Sequence, residues 1–162
     1  MNDERLILIL RFVHLVTMAW GVAGTTVANL MLRFEREPWL SLLRLRRGPW
    51  LPSTLFPRLT RLITLSVILL ALSGIGLGYL RGGEALNLKV LTVKLIIVAA
   101  IFINGVHLAL SLEPQLEHAA PAHPSEPETP TFRRLMARVR LHGLISLVGW
   151  YAIVGLSVFI PR

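Results

Sequence analysis

The chain has 162 residues, of which 54% are hydrophobic and only 16% charged, with a formal net charge of +8 and no cysteine. Ordinary soluble domains carry roughly a quarter charged residues, whereas here the charge is confined to short arginine-rich stretches between long apolar ones. That pattern excludes a nucleic-acid-binding domain, which presents a basic face on a folded, water-soluble unit, and the lack of cysteine excludes disulfides, thiolate metal sites and Cys-x-x-Cys-His haem attachment.

A helix needs about 20 mainly apolar residues to cross the hydrocarbon core of a bilayer, and four runs of that size occur in chain order. The first, Leu6 to Leu32, is too long for the apolar part of a signal peptide and is read as retained. It carries His14 on one face with Met18, Gly21 and Thr25, so that small residues beside the imidazole leave space for something planar. Residues 34–57 follow, with Trp39, Trp50 and leucines interleaved with arginine and broken by prolines, the pattern of an interfacial loop containing a short amphipathic helix. The second run, Leu59 to Leu80, has Thr60, Thr64, Ala71, Gly74 and Gly78 on one face, a stripe that lets helix backbones approach in lipid.

The third run, Leu88 to Leu112, begins with the only two lysines, Lys89 and Lys94, and ends near His107. Residues 113–131 are rich in proline and glutamate and are expected to be disordered; His118 and His123 fall there, without a scaffold for a metal site. The fourth run, Leu141 to Ile160, places His142 above Ser146 and Gly149. Lipid satisfies no backbone group, so continuous helices are expected and no alternating strand pattern competes. The fold class is all-α: one domain, residues 1–162, forming a polytopic bundle of four transmembrane helices. Its first partner is the lipid bilayer, with a homo-oligomer or a larger membrane complex left open and no nucleic acid.

Eleven of the 17 lysines and arginines fall on the side of the two long loops and six on the side of the termini. The positive-inside rule then puts both long loops in the cytoplasm and both termini outside, in the inner (plasma) membrane.

An ionisable group at the centre of a membrane helix costs about 2.5–3.5 kcal/mol on insertion scales, so each one needs a reason. His14, Lys94, His107 and His142 are the candidates. Counted from the span ends, His14 and Lys94 share one level, and His107 and His142 share the opposite one. Lys94 and His107 differ by about 140° in helical phase and cannot point at one centre. Buried hydrogen-bonded histidines and a lysine snorkelling to headgroups account for these residues without any chemistry. Two imidazoles across a bundle are also a common way to hold a b-type haem, and histidine with Met18 or Met31 suits Cu(I).

The segments RFVHLVTMAWGVAG, FPRLTRLITLSVILLALSGIGLGYLRG and LKVLTVKLIIVAAIFINGVHLAL resemble the core of the CopD-like copper-resistance membrane proteins and of the related HemJ-type protoporphyrinogen oxidases. The shared pattern is a histidine and a tryptophan in the first span, a glycine-ending second span and a valine-lysine pair opening the third, over about two thirds of the chain. The HemJ-type resemblance implies haem b, with the functional histidine and lysine falling on His14 and Lys94. Three readings follow. The first is a haem-binding or porphyrin-handling redox protein, with His14 as metal ligand, Lys94 as catalytic or proton partner, and His107 and His142 as further cofactor-binding residues; a haem-dependent oxidoreductase of the protoporphyrinogen oxidase kind belongs here. The second is copper transport, and the third a cofactor-free structural subunit.

Overall fold

The computed structural model describes residues 2–34, 51–80, 88–120 and 128–158. Helix α1 runs Asn2–Phe34, α2 Leu51–Leu80 and α3 Leu88–His107; α3 continues through a π-helical turn, Leu108–Leu112, into α4, Glu113–Ala119, and α5 runs Pro130–Val158. No strand occurs among the described residues. Four stretches are long and apolar enough to cross a membrane: Asp3–Leu32, Arg58–Leu80, Leu88–Ala119 and Pro130–Val158. Their outward faces are apolar as well, with Leu8, Phe12, Leu72, Ile96, Ile103 and Val148 each more than half exposed. Water does not tolerate such a surface on a monomer, and lipid does.

The elements differ from the sequence expectation at their ends. Asp3 and Glu4 sit in the first turn of α1 and complement its dipole, so the helix starts before Leu6. Of the expected interfacial loop 34–57, residues 35–50 lie outside the described residues, and Leu51 already belongs to α2. Of the stretch 113–131, expected to be disordered, nine of the twelve described residues are helical. Glu113–Ala119 prolongs the third rod, and Leu116 is buried against Leu112 and Phe132; residues 121–127 lie outside the described ones. Helix α5 starts eleven residues before Leu141 because Thr129 caps it, its hydroxyl accepting the Phe132 amide at 3.1 Å, with Pro130 in the first position. Its first turns are amphipathic: Phe132, Leu135, Met136 and Val139 face inward, while Arg133, Arg134, Arg138 and Arg140 are exposed. A search for continuous hydropathy passes over such a segment.

Contacts fix the topology as a ring in which each helix packs antiparallel on its neighbours. Leu10 and Gly24 of α1 meet Gly76 and Ile63 of α2, and Gly21 and Asn29 of α1 meet Trp150 and Gly143 of α5. Thr64 of α2 meets Gly105 of α3, and Ile101 of α3 meets Gly149 of α5. One end of the bundle therefore collects the start of α1, the end of α2, the start of α3 and the end of α5. It is called the terminal end below, and the other the loop end.

The glycines act as notches, and one governs the whole. A Cβ on Gly21 would lie 2.2 Å from the Trp150 ring, so this ring rests on bare backbone of α1. Trp150 is 0% exposed and forms the central cluster with Val67, Leu70, Ile101 and Ile153, against which Met18, Val22, Ile97 and Val98 pack. All four spans meet there. A second cluster at the loop end gathers Leu32, Leu108, Leu112, Leu116, Phe132, Met136 and Val139. The π-helical turn admits an extra residue per turn and helps hold Leu108, Leu112 and Leu116, spaced by four, on one buried face.

Overpacking a well-filled core costs about 1–3 kcal/mol, more where the obstacle is rigid. Gly21→Leu is therefore expected to lower the SDS-unfolding midpoint of the protein in mixed micelles by at least this much, whereas Gly155→Ala, with open space around it, leaves the midpoint unchanged.

Candidate functional site

The buried polar residues of the bundle are all hydroxyl-bearing: Thr17, Thr25, Thr60, Ser66, Ser73 and Ser146. Three of them spend their proton on their own helix: Thr17 on the Val13 carbonyl at 2.8 Å, Ser66 on the Leu62 carbonyl at 2.9 Å and Ser73 on the Leu70 carbonyl, which is how polar side chains survive in lipid. Against this background the ionisable groups stand in two separate places.

At the terminal end, α1 presents His14 to α2. The Ser73 hydroxyl donates to the Leu70 carbonyl at 3.1 Å, and His14 Nδ1 lies 3.0 Å from the Ser73 oxygen. A hydroxyl has one proton; with that proton directed to Leu70, the oxygen accepts from Nδ1–H. The Leu70 carbonyl also lies within hydrogen-bonding reach of the ring. The Ser73 contact then calls for a proton on Nδ1, which leaves the lone pair on Nε2. This is the arrangement that orients histidines which bind metals or take up protons. Gly74 faces the ring, and a Cβ there would stand in ordinary van der Waals contact with it, 3.4 Å from His14 Cε1. Lys94 of α3 is near enough for its charge to act on His14. His14 and Lys94 are thus within electrostatic range of each other at the terminal end.

The second place lies toward the loop end, between α3 and α5. Asn104 donates through Nδ2 to the His142 carbonyl at 2.8 Å and to Ser146 Oγ at 2.7 Å. Those bonds orient the amide, and its Oδ1 accepts from His142 Nδ1. The His107 ring lies beside it, tilted, with ring centroids 5.1 Å apart and planes at 48°. Asn29 makes the matching contact from α1, donating to the Gly143 carbonyl at 3.0 Å. Two amides from two helices therefore clasp adjacent carbonyls of α5.

His107 and His142 are brought together, but not with His14 and Lys94. Counting about 1.5 Å per residue, His14 lies roughly 10 Å from the Gly21–Trp150 contact on one side and His142 roughly 12 Å on the other. The two pairs cannot serve one cofactor. Nor do His107 and His142, as they stand, enclose a haem. Axial imidazoles on opposite faces of one iron need roughly 6 Å between ring centres, from metal–nitrogen bonds of about 2 Å, and these rings are in contact. The space for a planar group expected beside Gly21 is also filled, by the indole of Trp150. The chamber lined by Thr25, Thr60, Thr64 and Ser146 measures about 30 Å³, against some hundreds of Å³ for a cofactor pocket.

The sequence reading passed over four residues that matter here: Ser73, Asn104, Asn29 and Glu113. Amides within apolar runs were a legible signal for both asparagines. Glu113 fell in a segment read as disordered. It is half-buried at the junction of the π turn and α4, within hydrogen-bonding reach of Thr60 and under the influence of Arg61. Among the described residues no group of three His, Cys, Asp or Glu gathers to hold a metal ion.

No protein-family model, curated protein or solved structure matches the chain.

Interhelical hydrogen bonds in membrane proteins contribute about 0.6 kcal/mol on average and up to about 1.7. Asn104→Leu removes three at once and is expected to destabilise the protein by about 1–2 kcal/mol in SDS unfolding. Its ¹⁵N spectrum should show the His142 tautomer released while that of His14 stays at Nδ1–H.

Proposed function

We propose that this chain is a membrane-embedded porphyrin-handling redox protein whose working site is His14 with Lys94. The observation that carries this reading is the contact of His14 Nδ1 with Ser73, 3.0 Å away. With the Ser73 proton directed to the Leu70 carbonyl, Nδ1 is the donor and Nε2 is left for a ligand, within electrostatic range of Lys94, one of only two lysines in the chain. The resemblance of the three spans to HemJ-type proteins assigns the same two residues.

A bound haem supplies one-electron chemistry; the residues of the chain supply the rest. His14 Nε2 offers a neutral lone pair, to a metal or to a proton, without rotating. Lys94 offers a cation on a flexible stem for a carboxylate at the rim. The Trp150 cluster closes the bundle below them, so the site opens toward lipid and headgroups and not into the core. The arginines at the start of α2 and α5 lie together at the loop end, which under the positive-inside rule places that end in the cytoplasm and the His14 site near the outer face of the inner membrane. Copper transport finds less support, because Met18 packs into the central cluster and the histidines form no continuous path.

Titration of the detergent-purified protein with haem or protoporphyrin IX, read by absorption, tests the proposal. The wild type is expected to give a histidine-ligated Soret band. His14→Ala weakens binding by about 10–100-fold, the range seen when a metal site loses key support; Lys94→Gln weakens it about tenfold without removing the ligation signature, and His142→Ala leaves it unchanged. Equal binding by wild type and His14→Ala would sink the reading.

A further inference from the structure

His107 and His142 lie away from His14, between α3 and α5, close to where the exposed arginines that open α5 give way to its apolar run. Ionisable side chains at such positions ask for a function, with the partner named. The Asn104 clasp accounts for one ring. The His142 carbonyl only accepts, so the amide nitrogen of Asn104 must face it, and the amide oxygen is left for His142 Nδ1. Nδ1 therefore carries a proton, and the lone pair of the neutral ring lies on Nε2. The clasp leaves His107 unexplained. Its ring is exposed, and it meets His142 with no hydrogen bond between the two rings.

The separation of the rings decides what can join them. Two imidazoles on one ion, with metal–nitrogen bonds of about 2 Å, hold their ring centres roughly 4.5 Å apart at a right angle, roughly 5 Å apart at a tetrahedral angle and above roughly 6 Å apart in line. The observed separation is 5.1 Å. It matches the tetrahedral preference of Zn²⁺ and neither the square-planar habit of Cu²⁺ nor a linear Cu(I) pair. The support around His142 is of the right kind as well, since a metal-bound histidine gives its other ring N–H to an oxygen acceptor, and Asn104 Oδ1 is one. The π-helical turn begins at the residue after His107, and such turns are frequent at functional sites.

We propose that His107 and His142 form a two-histidine zinc site that ties α3 to α5 near the loop end, with water in the two remaining positions of the tetrahedron. The surroundings carry charge of the opposing sign. Arg134 and Arg138 precede His142 at one-turn intervals on the same face of α5 and are exposed, and residues 35–50 contain Arg36, Arg44, Arg46 and Arg47. Glu113 and Glu117 of α4 bring two carboxyl groups toward the same end. The arginines oppose a cation through space, yet they leave in place the imidazole lone pairs that bind it, because coordination by a neutral nitrogen needs no negative charge. The proposal stands without the porphyrin reading, because it uses neither His14 nor Lys94.

Titration of the full chain in nanodiscs with Co²⁺ tests it, because Co²⁺ occupies zinc sites and absorbs strongly in the visible when its coordination is tetrahedral. His118→Ala and His123→Ala are carried throughout, so that the histidines of residues 113–131 contribute nothing. In this background the tetrahedral bands are expected to appear and to bleach when Zn²⁺ is added. His107→Ala, at an exposed ring, and His142→Ala are each expected to weaken binding about tenfold or more, and Arg138→Gln, which removes a like charge, to tighten it about threefold. Excess Zn²⁺ is expected to raise the SDS-unfolding midpoint in mixed micelles, and to leave that of His107→Ala where it was. Bands that are absent, or that survive either histidine variant, overturn the site. Weaker binding in Arg138→Gln overturns it too, since it would mark the cluster as a receptor for an anion.

Discussion

The indole of Trp150 resting on the bare backbone of Gly21 is the contact on which the rest of the bundle depends. A ring of that size at the axis of four helices is buried only if one neighbour gives up its side chain, and α1 does so at Gly21. Once seated, the ring is flanked by Val67 and Leu70 of α2 and Ile101 of α3, so all four spans take their register from it. The smaller notches at Gly24, Gly76, Gly105, Gly143 and Gly149 keep that register along the remaining length. In lipid, where no hydrophobic force pulls helices together, close packing and a few hydrogen bonds must suffice.

The same contact divides the chemistry. Above it, His14 is held by Ser73 with Lys94 nearby; below it lie the asparagine clasps on α5, the chamber and Glu113. Apolar side chains from every span separate the two levels. A proton or a ligand at one end therefore has no polar path to the other through the described core, and each end must be understood with its own face of the membrane. The split also explains why a planar cofactor would meet His14 only at the rim: the volume it needs along the axis belongs to Trp150.

Much of the fold was legible because a bilayer imposes a simple rule: apolar runs of the right length become helices. Depth was legible for the same reason, since a regular rise per residue turns sequence position into level, and so the pairing of His14 with Lys94 and of His107 with His142 followed from counting. Helix ends were less legible. The start of α5 hides in an amphipathic stretch whose arginines mask its buried Phe132 and Met136, and Glu113–Ala119 reads as a polar tail although Leu116 is buried.

The sequence by itself determined the class of the protein, the number of spans, the levels of its ionisable groups and which faces carry small residues, all of which depend on local composition and helical periodicity. Only the tertiary structure decided what fills the space beside Gly21, which nitrogen of His14 meets Ser73, and that Asn104 and Asn29 grip the same turn of α5. These are relations between residues far apart in the chain, set by how four helices rotate about their axes to bury one tryptophan, and rotation is the degree of freedom that a hydropathy pattern does not specify.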